Sequence, residues 1–304
     1  MIKAQDLRKN YGENVAVDGL SFQIAAGETF GLLGPNGAGK TTTISMLVGL
    51  LAPDSGTVEV GDASPGESDP THPKVRTLIG IAPQSLSLYE DLTAKENLRF
   101  FGQLYGLSGG HLNERVTWAL EFAELNDRKN DRVKTYSGGM KRRLNIAVAL
   151  IHEPRILLLD EPTVGVDPQS RNHIFESIHR LQKQGMTILY TTHYMEEAQR
   201  LCDRVAIVDQ GKLLALDSVS GLIANHGGTS VVKAELMGSA DPQLVESLHG
   251  GSLEGSTVRF ESDRPLEQVA ELTSKGMQFS TLNIAQPDLE SVFLALTGRS
   301  LRDG

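Results

Sequence analysis

The sequence predicts an α/β protein with a mostly parallel sheet, a helical insertion subdomain and a small C-terminal α+β appendage. Three observations carry this expectation. Short apolar, β-rich runs alternate with helix-period stretches, the signature of a parallel α/β sheet. Between Gln84 and about residue 152 the texture turns wholly helical, and after residue 229 short alternating runs return. At 304 residues the chain has room for one large domain or two ordinary ones. The expected division is 1–225, with the helical part at about 85–152, followed by 226–304.

Composition narrows the class. A hydrophobic content of 39% and a charged content of 22% suit a globular protein. The net charge of −9 disfavours nucleic acid or an anionic membrane surface as the main partner. A single cysteine, Cys202, excludes an internal disulfide and suggests a reducing compartment. The opening "MIKAQDLRKNYGEN" has no apolar h-region, so no signal peptide is expected. The longest apolar runs, "NIAVALI" and "ILLL", fall short of the ~20 residues of a membrane span. Any membrane part is therefore expected from another chain.

The elements follow in order. "ETFGLLG" (28–34) reads as a buried strand and "KTTTISMLVGL" (40–50) as the helix after it. Thr93, with Glu96 three residues on, forms a capping-box pattern that opens "TAKENLRFFGQLYGL". "NERVTWALEFAEL" is the next helix, with Trp118 on its apolar face, and a third begins at Ser137. "RILLLDEP" (155–162) is a second buried strand. Asp167 and Pro168 read as N-cap and first residue of a helix running to Gln184. "MTILYTTH" (186–193) is a third strand, and 203–217 a hairpin turning at "QG". "HGGT" after Asn225 marks a linker. The remainder suggests a βαββαβ-like order closed by a short amphipathic helix, "PDLESVFLALTG".

Two stretches carry chemistry by themselves. "GPNGAGKT" (34–41) matches the P-loop pattern in its strand–loop–helix context. Its glycines let successive N–H groups face a phosphate, Lys40 adds a positive charge, and Thr41 a hydroxyl for Mg²⁺. In "ILLLDEP", Asp160 and Glu161 emerge at the carboxyl end of a buried strand, where open α/β sheets bind ligands. One carboxylate suits Mg²⁺ and the other an attacking water. A P-loop NTPase follows. "YSGGM" is a second helix start suited to an anion, since free N–H groups and the positive dipole end converge there. "KRR" (141–143) sets three positive charges in that helix's first turn, against its dipole, which a nearby anion would relieve.

With these motifs in this order, residues 1 to about 220 closely resemble the ATP-binding-cassette (ABC) ATPases. "GPNGAGKTT", which spans Gly34, Pro35, Asn36, Gly37, Ala38, Gly39, Lys40, Thr41 and Thr42, resembles Walker A. "YSGGM" (Ser137, Gly138, Gly139) resembles the signature motif and "ILLLDEP" Walker B. Gln84, Asp167 and His193 fall at the Q-loop, D-loop and switch-histidine positions, and Tyr11 where the family stacks an aromatic on adenine. The resemblance implies ATP as substrate and Mg²⁺ held by Thr41, Gln84 and Asp160. It implies Glu161, His193 and Gln84 in catalysis, and two cassettes packed head to tail with Ser137 serving the other's γ-phosphate. The working unit is then a homodimer, or a heterodimer with a related cassette. Tyr136, Met140 and the "VGV" before Asp167 depart from the commonest pattern, which bears on rate and partner preference.

Two functional classes remain open at this level. The first is the energy-coupling subunit of a transporter, peripheral on the cytoplasmic face of the cell membrane, docked on a separate membrane-spanning permease. "YSGGM" and the ending "LESVFLALTGRSLRD" are similar to the drug- and polysaccharide-exporter branch that includes the daunorubicin-resistance ATPases. The second is a soluble ABC ATPase acting on DNA or ribosomes. Only 98 residues (137 − 39) separate Gly39 from Ser137, without heptads, which leaves no room for long coiled coils. A third reading, a nucleotide sensor with little turnover, conflicts with an intact Glu161 and His193.

Overall fold

The computed structural model describes residues 1–61, 68–238 and 242–298. The "RSLRD" end of the C-terminal stretch and Asp241 lie outside them. The chain divides into two compact units, Met1–Val219 and Ser220 onward, taken in turn below.

The first unit begins with a hairpin, β1 (Ile2–Tyr11) and β2 (Asn14–Ile24), followed by β3 (Thr29–Leu33). Helix α1 (Lys40–Leu47) leads to β4 (Ser55–Val60), the short α2 (Pro73–Arg76) and β5 (Ile79–Ala82). Next come α3 (Ala94–Leu104), α4 (Gly109–Phe122) and α5 (Gly138–Ala149). The run β6 (Ile156–Asp160), α6 (Pro168–Lys183), β7 (Thr187–Thr192), α7 (Met195–Leu201), β8 (Arg204–Asp209) and β9 (Lys212–Ser218) completes it.

The main sheet has the order β5-β6-β7-β3-β8-β9. It is parallel except for the β8–β9 hairpin, which turns at Gln210–Gly211. Every residue of β3, β6 and β7 is buried, which explains their unbroken apolar runs. The parallel strands all end on one edge, so the loops after β3, β5, β6 and β7 converge there. Those loops carry the P-loop, Gln84, Glu161 and His193.

A second, antiparallel sheet, β2-β1-β4, was not visible in the sequence. Its β1 pairing is interrupted between Ala4 and Leu7, and Asp6 has φ 47°, so the buried positions Ile2, Ala4 and Leu7 break the period of two. The sheet packs into the same apolar cluster as β3 and α1. Its hairpin presents Tyr11 opposite Asn14.

Helices α3, α4 and α5 form their own apolar cluster, which includes Leu98, Leu112, Val116, Leu144 and Ile151. The capping box forms as expected: Glu96 N–H donates to Thr93 Oγ1 (3.1 Å) and Thr93 N–H to Glu96 Oε2 (2.8 Å). Trp118 packs half-buried on this cluster, stacked on Phe122, with the Arg115 guanidinium 4.1 Å from its ring centre.

The second unit contains α8 (Val219–His226, continuing from the first), β10 (Ser230–Leu236), α9 (Pro242–Glu246), β11 (Ser252–Glu254), β12 (Thr257–Ser262), α10 (Pro265–Ser274), β13 (Phe279–Ala285) and α11 (Leu289–Thr297). Its sheet, β11-β12-β10-β13, is antiparallel, and the βαββαβ order is the one the sequence suggested. The division falls after residue 219 instead of 225. The glycines of "HGGT" stop α8, with Gly227 N–H bonding Ile223 O (2.8 Å), and do not separate the units.

Candidate functional site

The P-loop curls between β3 and α1. Gly39 has φ 97°, and a side chain there would sit 2.3 Å from Ala16 O, so only glycine lets the loop pass this close to β2. Gly34 and Pro35 carbonyls both accept from Lys40 Nζ, at 2.7 and 2.9 Å. Ala38 is buried under the loop, its N–H bonded to Pro35 O (3.2 Å). A cavity of about 460 Å³ opens above. Asn36, Gly37, Gly39, Lys40, Thr41 and Thr42 line one wall, and Gln84 and Glu161 another. Tyr11, half exposed, also lines it, with Asn14 and Ala16.

The carboxylates are fixed from below. Thr191 Oγ1 donates to Asp160 Oδ1 (2.6 Å) and accepts from Glu161 N–H (3.0 Å). Asp160 Oδ2 accepts from Thr41 Oγ1 (3.0 Å), which sets a hydroxyl and a carboxylate at one point. Glu161 has φ 46°, a left-handed conformation that a non-glycine residue keeps only when its surroundings impose it. Its side chain is buried, and three groups converge on it. Lys40 Nζ lies 3.0 Å from Oε1, His193 Nδ1 3.3 Å from Oε1, and Gln84 Nε2 donates to Oε2 at 3.2 Å.

Ser137, Gly138, Gly139 and Asp167 form a separate cluster, and none of them lines the cavity. Ser137 caps α5, its Oγ accepting from Met140 N–H (3.3 Å), and Asp167 caps α6, accepting from Ser170 N–H (2.9 Å). That N–H holds the Asp167 carboxyl below its ordinary range. The two helix starts touch: a side chain on Gly139 would meet Ser170 Oγ at 2.1 Å. The two helix starts thus present one surface, with Ser137 and Asp167 exposed.

The reading of "KRR" as relief for a bound anion is corrected. Lys141 pairs with Glu90 (2.5 Å) and Arg143 with Ala123 O and Glu124. Arg142 is buried and donates to Pro83 O (3.1 Å) and Gln84 O (2.9 Å). All three charges are met by protein acceptors, and Arg142 ties α5 to the loop carrying Gln84. Burial lowers its pKa from the ordinary arginine value. Asn145, one turn on, accepts from Ser87 N–H (3.1 Å) and strengthens the same clamp. The sequence signal for this clamp is the charged first turn itself, which does not say where its partners lie.

The donor set suits Mg²⁺. Thr41, Asp160 and Gln84 supply oxygens beside the phosphate cradle, and a cation that keeps water and phosphate ligands needs few protein ones.

A P-loop nucleotide cavity with paired carboxylates on a parallel sheet, plus a second capped-helix surface, defines a P-loop NTPase of the cassette type. The ABC transporter family matches residues 17–164. The chain is 43% identical over 314 residues to the linearmycin resistance ATP-binding protein LnrL of Bacillus subtilis (strain 168), spanning 100% of both. It is 41% identical over 316 residues to the Nod factor export ATP-binding protein I of Ralstonia nicotianae, spanning 100% of this chain and 95% of that one. The protein belongs to the ATP-binding subunits of ABC transporters. Among solved structures, an ATP-binding subunit of an ABC transporter superposes with a TM-score of 0.66 at 29% identity, covering 75% of this chain and 93% of its own. A dimeric cassette in a post-hydrolysis state with ADP and Pi gives 0.63 at 27% identity, covering 72% and 98%.

Proposed function

We propose that two cassettes close on ATP and hydrolyse it to drive export through a separate membrane-spanning permease, with this chain peripheral on the cytoplasmic face of the membrane. One observation carries the reading: the phosphate cradle and the Glu161 carboxylate share a cavity that the exposed Ser137–Asp167 surface does not line. A second cassette, turned head to tail, supplies what each cavity lacks. The named relatives are a linearmycin resistance protein and a Nod factor export protein, which supports outward transport.

In the proposed reaction a water oxygen attacks the γ-phosphorus, the bond to the bridging oxygen breaks, and ADP and phosphate leave. Glu161 orients and polarises the water, and His193, beside it, supports the γ-phosphate. Lys40 exchanges its loop carbonyls for phosphate oxygens, and the neighbour's Ser137 reaches the same group from outside. Tyr11 stacks on the adenine. Thr41, Asp160 and Gln84 would hold Mg²⁺, which would supply positive charge to offset that on the phosphates.

The permease contact is assigned to the helical part near Gln84. There Tyr89, Phe100 and Phe101 form an aromatic cluster, with Tyr89 and Phe100 edge to face at 4.9 Å and both substantially exposed. Among the described residues no helix is long and apolar enough to cross a membrane. Tagged protein should therefore sediment with membranes and, after detergent extraction, co-purify with a polytopic chain. Tyr89→Ala with Phe100→Ala should reduce that recovery at least ~5-fold, as losing interface aromatic anchors does. Recovery without any membrane chain would count against the assignment.

A further inference from the structure

We propose that Glu197 is a positioning residue that fixes the backbone on both sides of His193; the inference rests on the ATPase reading above. The sequence offers two adjacent glutamates in "TTHYMEEA", and the fold separates them. Glu196 is exposed, whereas Glu197, on α7, is 2% exposed. A carboxylate buried to that degree is retained only with its acceptor positions satisfied.

Three hydroxyls donate to it. Thr163 Oγ1 reaches Oε1 at 2.7 Å, and Tyr190 OH and Thr192 Oγ1 reach Oε2 at 2.9 and 2.8 Å. Arg171 Nε lies 3.9 Å from Oε1. The hydroxyls come from distinct places. Tyr190 is anchored within β7, where burial raises its pKa far above the ordinary phenol value and keeps it a donor. Thr163 lies two residues past Glu161. Thr192 immediately precedes His193.

The Thr192 hydroxyl decides the role. Its one proton goes to Glu197, so its oxygen is free to accept, and it accepts from Tyr194 N–H at 2.9 Å. The chain Glu197–Thr192–Tyr194 therefore straddles His193 and pins the peptide on either side of it. The Tyr194 ring lies 4.1 Å from the His193 ring, so its placement also orients the imidazole. Packing alone would be met as well by an apolar side chain of similar volume. A pair of acceptor oxygens is required to set the direction of these bonds. A glutamine at 197 replaces one of the two acceptor oxygens with an NH₂ group, so it cannot accept from Thr163, Tyr190 and Thr192 in the geometry the carboxylate does.

The test is Mg²⁺-ATP turnover of the full chain, with the wild type in the same assay. Absence of wild-type turnover would undo the ATPase reading; wild-type turnover with unaffected variants would undo this proposal alone. Glu197→Gln and Thr192→Val should each lower kcat about 10-fold with KM for ATP within about twofold, the pattern of an interaction felt only in the transition state. Because both variants break one chain of bonds, the double variant should also lie about 10-fold down, not ~100-fold. Thr192→Ser, which keeps the hydroxyl, and Glu196→Gln, which touches none of this, should stay within about twofold of wild type. If Glu197→Gln does not fold, Thr192→Val and Thr192→Ser carry the comparison. Unchanged kcat in Thr192→Val, multiplying losses, or an effect confined to KM would overturn the proposal.

Discussion

Glu161→Gln is expected to lower steady-state ATP turnover by roughly 10²- to 10³-fold while ATP affinity stays within about threefold of wild type. The Glu161 carboxylate is buried beside the P-loop, and its backbone is held at φ 46° by the Thr191 bonds that also fix Asp160. Lys40, His193 and Gln84 all converge on it, so it sits at the junction of the three groups that would surround a γ-phosphate. An amide keeps the shape and the Gln84 contact, but loses the charge that polarises water. Phosphate release and equilibrium nucleotide titration measure the two quantities separately. Near-normal turnover would show that another group orients the water.

Lys40→Ala is expected to weaken ATP binding by roughly 10- to 100-fold, the loss of one to two charge-assisted hydrogen bonds. Lys40 is 5% exposed, and its ammonium is ringed by the Gly34 and Pro35 carbonyls and the Glu161 carboxylate. Removing it strips the cradle of its cation and leaves Glu161 without its nearest positive partner. Lys40→Arg should not restore affinity, because a planar guanidinium does not fit between two loop carbonyls set for a compact ammonium. Titration with a fluorescent ATP analogue reads the effect directly. Affinity within about twofold of wild type in Lys40→Ala would mean that the loop N–H groups alone hold the phosphates.

Much of this was legible from local sequence. The fully buried strands announced themselves because both faces are covered, and the caps at Thr93, Ser137 and Asp167 sit where their side chains meet the first helical N–H groups. The P-loop and "DEP" were readable because their chemistry is contained in contiguous residues. What escaped was non-local. The β2-β1-β4 sheet was hidden by an irregular pairing near Asp6 that breaks the alternation. Asn14 and Ala16 line the nucleotide cavity only because the β1–β2 hairpin folds toward the P-loop. Arg142 reads in the sequence as a charge that a nearby anion would relieve, yet its partners are carbonyls from the Gln84 loop, 58 and 59 positions away. Glu197 could not be told from Glu196 without knowing which one α7 turns inward.

The central claim is that each cavity works only when a neighbouring cassette closes it. It is tested most directly by light scattering on Glu161→Gln with and without Mg²⁺-ATP. A single copy has a mass of 32.9 kDa. The account requires that mass to double on adding ATP, and to return to the single value when Ser137 is also replaced by a bulky, charged residue. A particle that keeps the mass of one copy in saturating ATP, while wild-type turnover per molecule stays constant on dilution, would contradict it.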